Sequence, residues 1–287
     1  MRKILVTGAN GQLGWELGQL AGSYPQYEFI FTDRTVIDLS KPDTLAAIIN
    51  EMAPDAIINT AAYTAVDKAE SEKELAQAVN VKSVEQMAAI AHQRKIPFIT
   101  FSTDYVFTGN ATTPYTTETA LAPLNFYGST KADGERLAIA VNPNTIIIRT
   151  SWVFSTHGNN FVKSMIRFMK ERDVLNIVSD QKGRPTYAKD LADATMKMIV
   201  ALDNGKEIKG IYHYANKGET TWYDYCKKIQ SIVGLTCQVN AILTVDFPTP
   251  AKRPGYSVLD TDKIEKELSI TIPHWETSLL ECINKLS

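Results

Sequence analysis

The sequence predicts an α/β chain, with a doubly wound parallel sheet followed by a smaller mixed α/β unit. Three observations predict it. Apolar, β-rich runs alternate with stretches of helical periodicity as far as Arg149, the rhythm of successive βαβ units. The apolar runs are nearly continuous instead of alternating, as strands are when helices cover both faces of a sheet. The first run ends in Gly8-Ala-Asn-Gly11-Gln-Leu-Gly14, a glycine-spaced turn between a strand and a helix.

The elements follow in order. Strands are expected at 3–7, 28–32, 56–59, 98–103 and 145–149, each a short run rich in Ile, Val, Phe or Thr. Helices are expected between them at 13–21, 44–52, 75–80 continuing through 84–94, and 127–141. Beyond Arg149 the rhythm loosens to a helix at 160–172, a strand at 174–178, a helix at 190–202 and a strand at 211–215. An amphipathic helix at 221–233 has Thr220 or Thr221 available as its cap. Trp275, Leu279, Leu280, Ile283 and Leu286 recur at helical spacing. The proline-rich stretch 247–255, with Pro248, Pro250 and Pro254, reads as a loop. This divides the chain into a first domain of 1–152 plus roughly 187–214, and a second of 153–186 and 215–287.

Composition narrows the function classes. The chain has 287 residues, is 44% hydrophobic and 22% charged, and carries a formal net charge of -2. Those values are ordinary for a globular protein, and without a basic run they argue against a nucleic-acid or membrane-surface partner. No run approaches the ~18 apolar residues of a membrane span. The chain enters a strand at once, so no signal peptide is expected. The odd count of three cysteines, Cys226, Cys237 and Cys282, then fits reduced thiols in the cytoplasm. His92, His157, His213 and His274 lack the spacing of metal ligands.

The chemistry lies at strand ends. Glycines let a backbone approach a pyrophosphate, whose charge meets the following helix N-terminus. The spacing here is G-x-x-G-x-x-G. Asp33, closing the second strand, could accept hydrogen bonds from a ribose, whereas Arg34 beside it could pair with a 2′-phosphate. NADH and NADPH both remain open. Asp38-Leu39 could flank the adenine, or Asp38 could serve a turn. Asn59-Thr-Ala-Ala-Tyr63-Thr64 lies at the end of the third strand, where ligands bind in open α/β sheets; Val66-Asp67-Lys68-Ala69-Glu70 then opens a helix or forms a solvated turn. Ser102-Thr103-Asp104-Tyr105 ends the fourth strand, and Thr103 could hold a substrate carbonyl or simply finish a strand. Tyr127 and Lys131 stand one helical turn apart. A free phenol titrates near ~10, and a neighbouring ammonium favours its ionised form. With a dinucleotide site, the pair reads as acid chemistry coupled to hydride transfer.

These motifs, with Arg149-Thr-Ser-Trp-Val-Phe154, Gly183-Arg-Pro-Thr186 and Arg253-Pro254 with Ser257, resemble the extended short-chain dehydrogenase/reductase superfamily over essentially the whole chain. Within it the chain is most similar to the dTDP-4-dehydrorhamnose reductase family. The resemblance implies a Rossmann-type cofactor domain and reduction of the C4 ketone of a dTDP-sugar. Tyr127 would be the proton donor, Lys131 the residue that holds the nicotinamide ribose and lowers the tyrosine's pKa, and Thr103 a second contact to the same oxygen. The cofactor set it implies is Gly8, Asn10, Gly11, Gln12, Leu13, Gly14, Asp33, Arg34, Asp38, Leu39, Ala61, Ala62, Tyr63 and Thr64, joined by Tyr127 and Lys131. Asp104 and Trp152 map onto sugar contacts, although Trp152 could equally be a core aromatic. Arg184 and Arg253 are partners for the diphosphate, with Lys252 as an added charge. Magnesium, and the choice between monomer and homodimer, stay open.

Two other readings compete. Dehydratases and epimerases of the superfamily share the Tyr-Lys pair, but dehydratases carry a glutamate where this chain has Tyr105. A regulatory homologue resembling the methionine adenosyltransferase β subunit would not need the complete Thr103-Tyr127-Lys131 set.

Overall fold

A computed structural model describes residues 1–286. Its centre is a six-stranded, all-parallel sheet built from β1 (Arg2–Thr7), β2 (Tyr27–Thr32), β3 (Ala56–Asn59), β4 (Phe98–Thr103), β5 (Ile146–Thr150) and β10 (Gly210–His213). The remaining strands are β6 (Val153–Phe154), β7 (Val174–Val178), β8 (Lys182–Gly183), β9 (Thr186–Tyr187), β11 (Thr220–Thr221) and β12 (Gln238–Ile242). Spatial order in the sheet is β10-β5-β4-β3-β1-β2. The chain runs outward from β1 to β2 and returns to β3 on the other side of β1, so the winding reverses between β1 and β3. Crevices at such a reversal are where open α/β sheets bind ligands.

Among the described residues ten α-helices accompany these strands: α1 (Gln12–Leu20), α2 (Leu45–Met52), α3 (Lys73–Gln77), α4 (Ser83–Arg94), α5 (Phe126–Val141), α6 (Phe161–Glu171), α7 (Ala188–Asp203), α8 (Trp222–Val233), α9 (Asp262–Leu268) and α10 (Trp275–Asn284). Alternation along β1 sorts the first half into two layers. Ile4 and Val6 pack with Leu17 of α1 and Leu191 and Met198 of α7. Leu5, between them, faces Leu45 and Ile49 of α2, Met87 of α4 and Ala138 of α5. Both faces are dry, which accounts for the unbroken apolar runs. At the carboxyl end of the sheet a buried polar line crosses three strands. The Thr7 hydroxyl donates to Asn59 Oδ1 at 2.6 Å, and Asn59 Nδ2 donates to Thr100 Oγ1 at 3.1 Å.

A second core gathers Phe154, Val162, Met165, Tyr225, Ile229, Trp275 and Leu279 around the parallel β7–β12 pair. All three cysteines lie in it as buried free thiols. α9 packs back on the first core, where Ile264 and Ile272 join Tyr212.

Expected elements recur with bounds within two residues, and Thr221 is the cap of α8, accepting from Asp224 N at 3.1 Å. The 247–255 stretch carries no regular element beyond bends. Several features differ, among them the unanticipated two-residue strands β6, β8, β9 and β11. The helical run expected at 75–80 continuing through 84–94 is unbroken but not uniform: a π-helical turn, Ala78–Lys82, runs directly from α3 into α4. β12 and α9 were not anticipated: β12 exposes alternate polar residues, and α9, Asp-Lys-Ile-Glu-Lys-Glu-Leu, buries only Ile264. Neither leaves a periodic apolar signal.

Candidate active site

The carboxyl ends of β1, β3, β4 and β5 open into one cleft of about 1050 Å³, a size suited to ligands. From the first turn it is lined by Gly8, Asn10, Gly11, Gln12 and Leu13. The segment after β2 adds Asp33, Arg34, Asp38 and Leu39, and the segment after β3 adds Ala61, Ala62, Tyr63 and Thr64. Thr103 and Asp104 come from the end of β4, Tyr127 and Lys131 from α5, and Trp152 from the turn after β5.

The glycines are there for closeness. Gly8 has φ +73°, and a Cβ on it would stand 2.8 Å from Ala61 N, so only glycine lets β1 and β3 loops meet. Gly14 lies behind the cleft wall, where a side chain would collide with the Gly8 carbonyl. The turn is braced by Gly11 N donating to Gly8 O at 2.9 Å and by His157 Nε2 donating to Asn10 O at 3.1 Å. Gln12 reaches Val153 O and accepts from Asn160 Nδ2. A narrow backbone cradle at the start of α1 fits a dinucleotide diphosphate.

Asp33 is held as an acceptor. Its Oδ1 accepts from Thr35 N and the Thr35 hydroxyl, and its Oδ2 from Asn10 Nδ2 at 3.1 Å. Those bonds, first the Thr35 hydroxyl, keep its pKa below the usual carboxylate value. Arg34 turns to Asp38, 3.4 Å away. Asp38 lines the cleft and serves the turn, accepting from Ser40 N and Oγ.

Local sequence also places Tyr127. Asn125 caps α5 by accepting from Gly128 N at 2.8 Å, and Glu70 Oε1 accepts from Phe126 N at 2.8 Å. Gly128 lets that first turn press on the Tyr105 carbonyl, where a Cβ would collide. Tyr127 is thereby buried, with its phenol beside the Thr103 hydroxyl and its ring edge-on to Tyr105. Thr103 Oγ1 donates to Asp104 Oδ1 at 3.0 Å. Asp104 Oδ2 has no hydrogen-bond partner among the described residues, although the Ser257 hydroxyl lies near the carboxyl.

One expectation is corrected. Lys131 does not bring the phenol's pKa down in this site. Burial pushes Tyr127 up to about 12, opposed by Thr103 and reinforced by Asp104. Burial also pushes Lys131 down to about 8, and its Nζ donates to Phe101 O at 2.7 Å. Lys131 is not among the groups that move the phenol, and loss of water dominates at both residues. The result is a phenol that stays protonated at neutral pH, the state a proton donor requires. Asp104 is pushed up to about 6, again chiefly by burial.

A family model described as the RmlD substrate binding domain matches residues 1–287. A dTDP-4-dehydrorhamnose reductase of Aggregatibacter actinomycetemcomitans is 41% identical, with 97% of each chain covered. The chain belongs to the dTDP-4-dehydrorhamnose reductase family. The fold agrees. A crystal structure of such a reductase from Clostridium acetobutylicum superposes with a TM-score of 0.93 at 40% identity, covering 99% of both chains. Another from Bacillus anthracis, in complex with NADP, gives 0.93 at 34% identity, covering 99% of this chain and 100% of that one.

Against this reductase-family frame, the residues expected at the diphosphate stand apart from the cleft lining. Arg184 donates to Leu259 O at 2.8 Å. Arg253 forms a fork with Asp67, at 2.6 and 2.7 Å. The Lys252 carbonyl accepts from Asn125 Nδ2. Among the described residues no three His, Cys, Asp or Glu gather to hold a metal ion, so magnesium gains no ligand set. No helix among them is long and apolar enough to cross a membrane. The cleft also includes Ser102, Ser151, Gly158, Asn159 and Trp222, which sequence reasoning missed. Gly158-Asn159-Asn160 preceding an apolar helix was a readable turn-and-cap signal. Trp222 had none beyond its place after a capping threonine.

Proposed function

We propose that this chain reduces the C4 ketone of dTDP-4-dehydro-L-rhamnose to dTDP-L-rhamnose with NADH or NADPH, a step that serves cell-surface polysaccharide synthesis. We further propose that it works in the cytoplasm as a monomer or homodimer, with 1–152 plus 187–214 as the cofactor domain and 153–186 plus 215–287 as the sugar-nucleotide domain. The observation that carries the reaction is the buried phenol of Tyr127 beside the Thr103 hydroxyl, in the same cleft as the Gly8–Gly11 cradle.

When bound, the nicotinamide cofactor supplies a hydride to the C4 carbon. Asn10, Gly11 and Gln12 would hold its diphosphate, Asp33 or Arg34 its adenosine ribose, and Ala61 to Thr64 the stretch between. Lys131, charged below about pH 8, would hold the nicotinamide ribose. Thr103 would grip the C4 oxygen, and Tyr127 would pass its phenolic proton to that oxygen as negative charge develops there. One hydride and one proton convert the ketone to the alcohol, and no second acid or base is required. The unpartnered Asp104 Oδ2 is a ready acceptor for a sugar hydroxyl. Arg184 and Arg253 would meet the diphosphate, Arg253 after leaving Asp67, since a guanidinium fork matches phosphate as well as carboxylate.

The test follows NAD(P)H absorbance with dTDP-4-dehydro-L-rhamnose. Stoichiometric consumption with formation of dTDP-L-rhamnose is expected; an unchanged signal with both cofactors would reject the proposal.

A further inference from the structure

Trp152 has a backbone that bulky residues rarely adopt. Its φ is +48°, a left-handed conformation that persists only where the surroundings impose it. Strain of this kind concentrates at functional sites, and Trp152 lines the cleft. Three contacts impose it. The backbone is pinned on both sides: Thr186 N donates to Trp152 O at 3.2 Å, and the Ser151 hydroxyl donates to Arg184 O at 2.7 Å. The indole stacks on Trp222, with ring centroids 3.5 Å apart and planes 11° from parallel. The ring also lies against Gly183, where a Cβ would come within 2.7 Å of Trp152 Cε2.

Gly183 and Trp222 arrive together for a topological reason. β8 and β11 pair antiparallel with Thr220 opposite Gly183, and α8 begins at Trp222 immediately afterwards. Phe161, from the start of α6, packs on Trp222 with centroids 4.6 Å apart. The ladder therefore delivers a flat ring and a side-chain-free position to the same indole. Two short strands that bury little by themselves acquire a purpose here: they set the orientation of an aromatic wall.

We propose that Trp222 is a positioning residue for the sugar, holding Trp152 in its left-handed conformation so that the indole forms one wall of the sugar subsite, with Gly183 leaving the space that the ring needs. The inference rests on the sugar-nucleotide reading above. The ligand chemistry is a hexose with an apolar face, as a 6-deoxy sugar has. The cofactor side of the cleft is lined chiefly by the turns after β1, β2 and β3, and none of those residues takes part in the stack.

The experiment is a double-mutant cycle on steady-state reduction. Trp222→Ala should raise the KM for dTDP-4-dehydro-L-rhamnose about two- to tenfold, the range set by the energy of an aromatic pair. KM for NADH should stay within about twofold, and Trp222→Phe, which keeps a stacking ring, should recover most of the loss. Because Trp222 acts through Trp152, adding Trp222→Ala to Trp152→Ala should change nothing further. Gly183→Ala, which crowds the ring without touching α8 and also meets Ser257 Oγ, should raise the sugar KM too, and by less once Trp152 is removed. Additive penalties in the double variant, or a parallel rise in the NADH KM, would overturn the proposal. If the wild-type protein turns the sugar over and Trp222→Ala leaves KM unmoved, the stack has no such role; if the wild type neither binds nor reduces it, the functional reading fails and the assignment of this wall to that sugar fails with it.

Discussion

Tyr127 and Asp104 show how burial sets the chemistry of single residues. A phenol held near 12 gives up its proton only to a stronger base, which a developing alkoxide is. Tyr127→Phe should lower kcat/KM by about 10²–10⁴-fold, the usual contribution of a positioned general acid, with cofactor binding retained. A loss below about tenfold would remove the phenol from that role. Asp104 makes a stability prediction. Its folded pKa of about 6 lies above the ordinary 3.8 of an aspartate, so the folded chain keeps a proton that the unfolded chain releases between those values. The resulting stabilisation is complete below the lower value and disappears as pH rises through the upper one. About two units correspond to roughly 3 kcal/mol. Denaturant melts of the ligand-free protein should show wild type losing that much relative to Asp104→Asn between acid and mildly alkaline pH. A pH-independent difference would mean that the carboxyl is not desolvated as described.

At the scale of elements, the decisive object is the first turn of α5. Asn125, Glu70 and Gly128 fix its entry, and the rest of the helix is anchored by Glu135, whose carboxylate receives Arg149 Nε and NH2 at 2.9 and 2.6 Å. Both partners of that pair are buried, where removing one member costs far more than a surface pair is worth. Gly128 is the sensitive position in this turn. A methyl group there has to displace the Tyr105 carbonyl or the helix itself, and overpacking of this kind costs about 1–3 kcal/mol. Gly128→Ala should therefore lower both the denaturation midpoint and kcat, since the displaced turn carries Tyr127. Full activity in that variant would show the contact to be soft.

At the scale of the whole molecule, the two cores are joined around the cleft by polar clamps. Asp67 accepts from both guanidinium nitrogens of Arg253 and from Ala251 N at 3.1 Å, tying a turn of the sheet domain to the Pro-rich stretch. Asn125 holds the Lys252 carbonyl in the same stretch, and His157 and Asn160 hold the glycine turn from the other side. Asp67→Ala removes one clamp. Because Asp67 is 39% exposed, solvent screening limits the cost to about 1 kcal/mol, read as a small fall in thermal midpoint. A loss of several kcal/mol would mean that the Pro-rich stretch organises the fold more widely.

Some of this protein is dictated locally. Strands β1 to β5 and helices α1, α4 and α5 are written as apolar period, capping residue and glycine spacing, each of which acts over a few neighbouring residues. The glycine turn, Thr103 and the Tyr127–Lys131 pair were readable for the same reason: strand ends of a doubly wound sheet converge, so residues at those ends meet. The rest depends on groups far apart in the chain. Whether Lys131 would lower the phenol's pKa could not be judged without knowing that both lose water together. The Arg253 fork with Asp67 and the wall formed by Trp152, Gly183 and Trp222 join segments with no local signature. α9 and β12 form because neighbours supply the apolar surface that their own sequences lack. Local periodicity selects elements; desolvation and side-chain contact, which exist only once distant segments pack, decide how the site is charged and shaped.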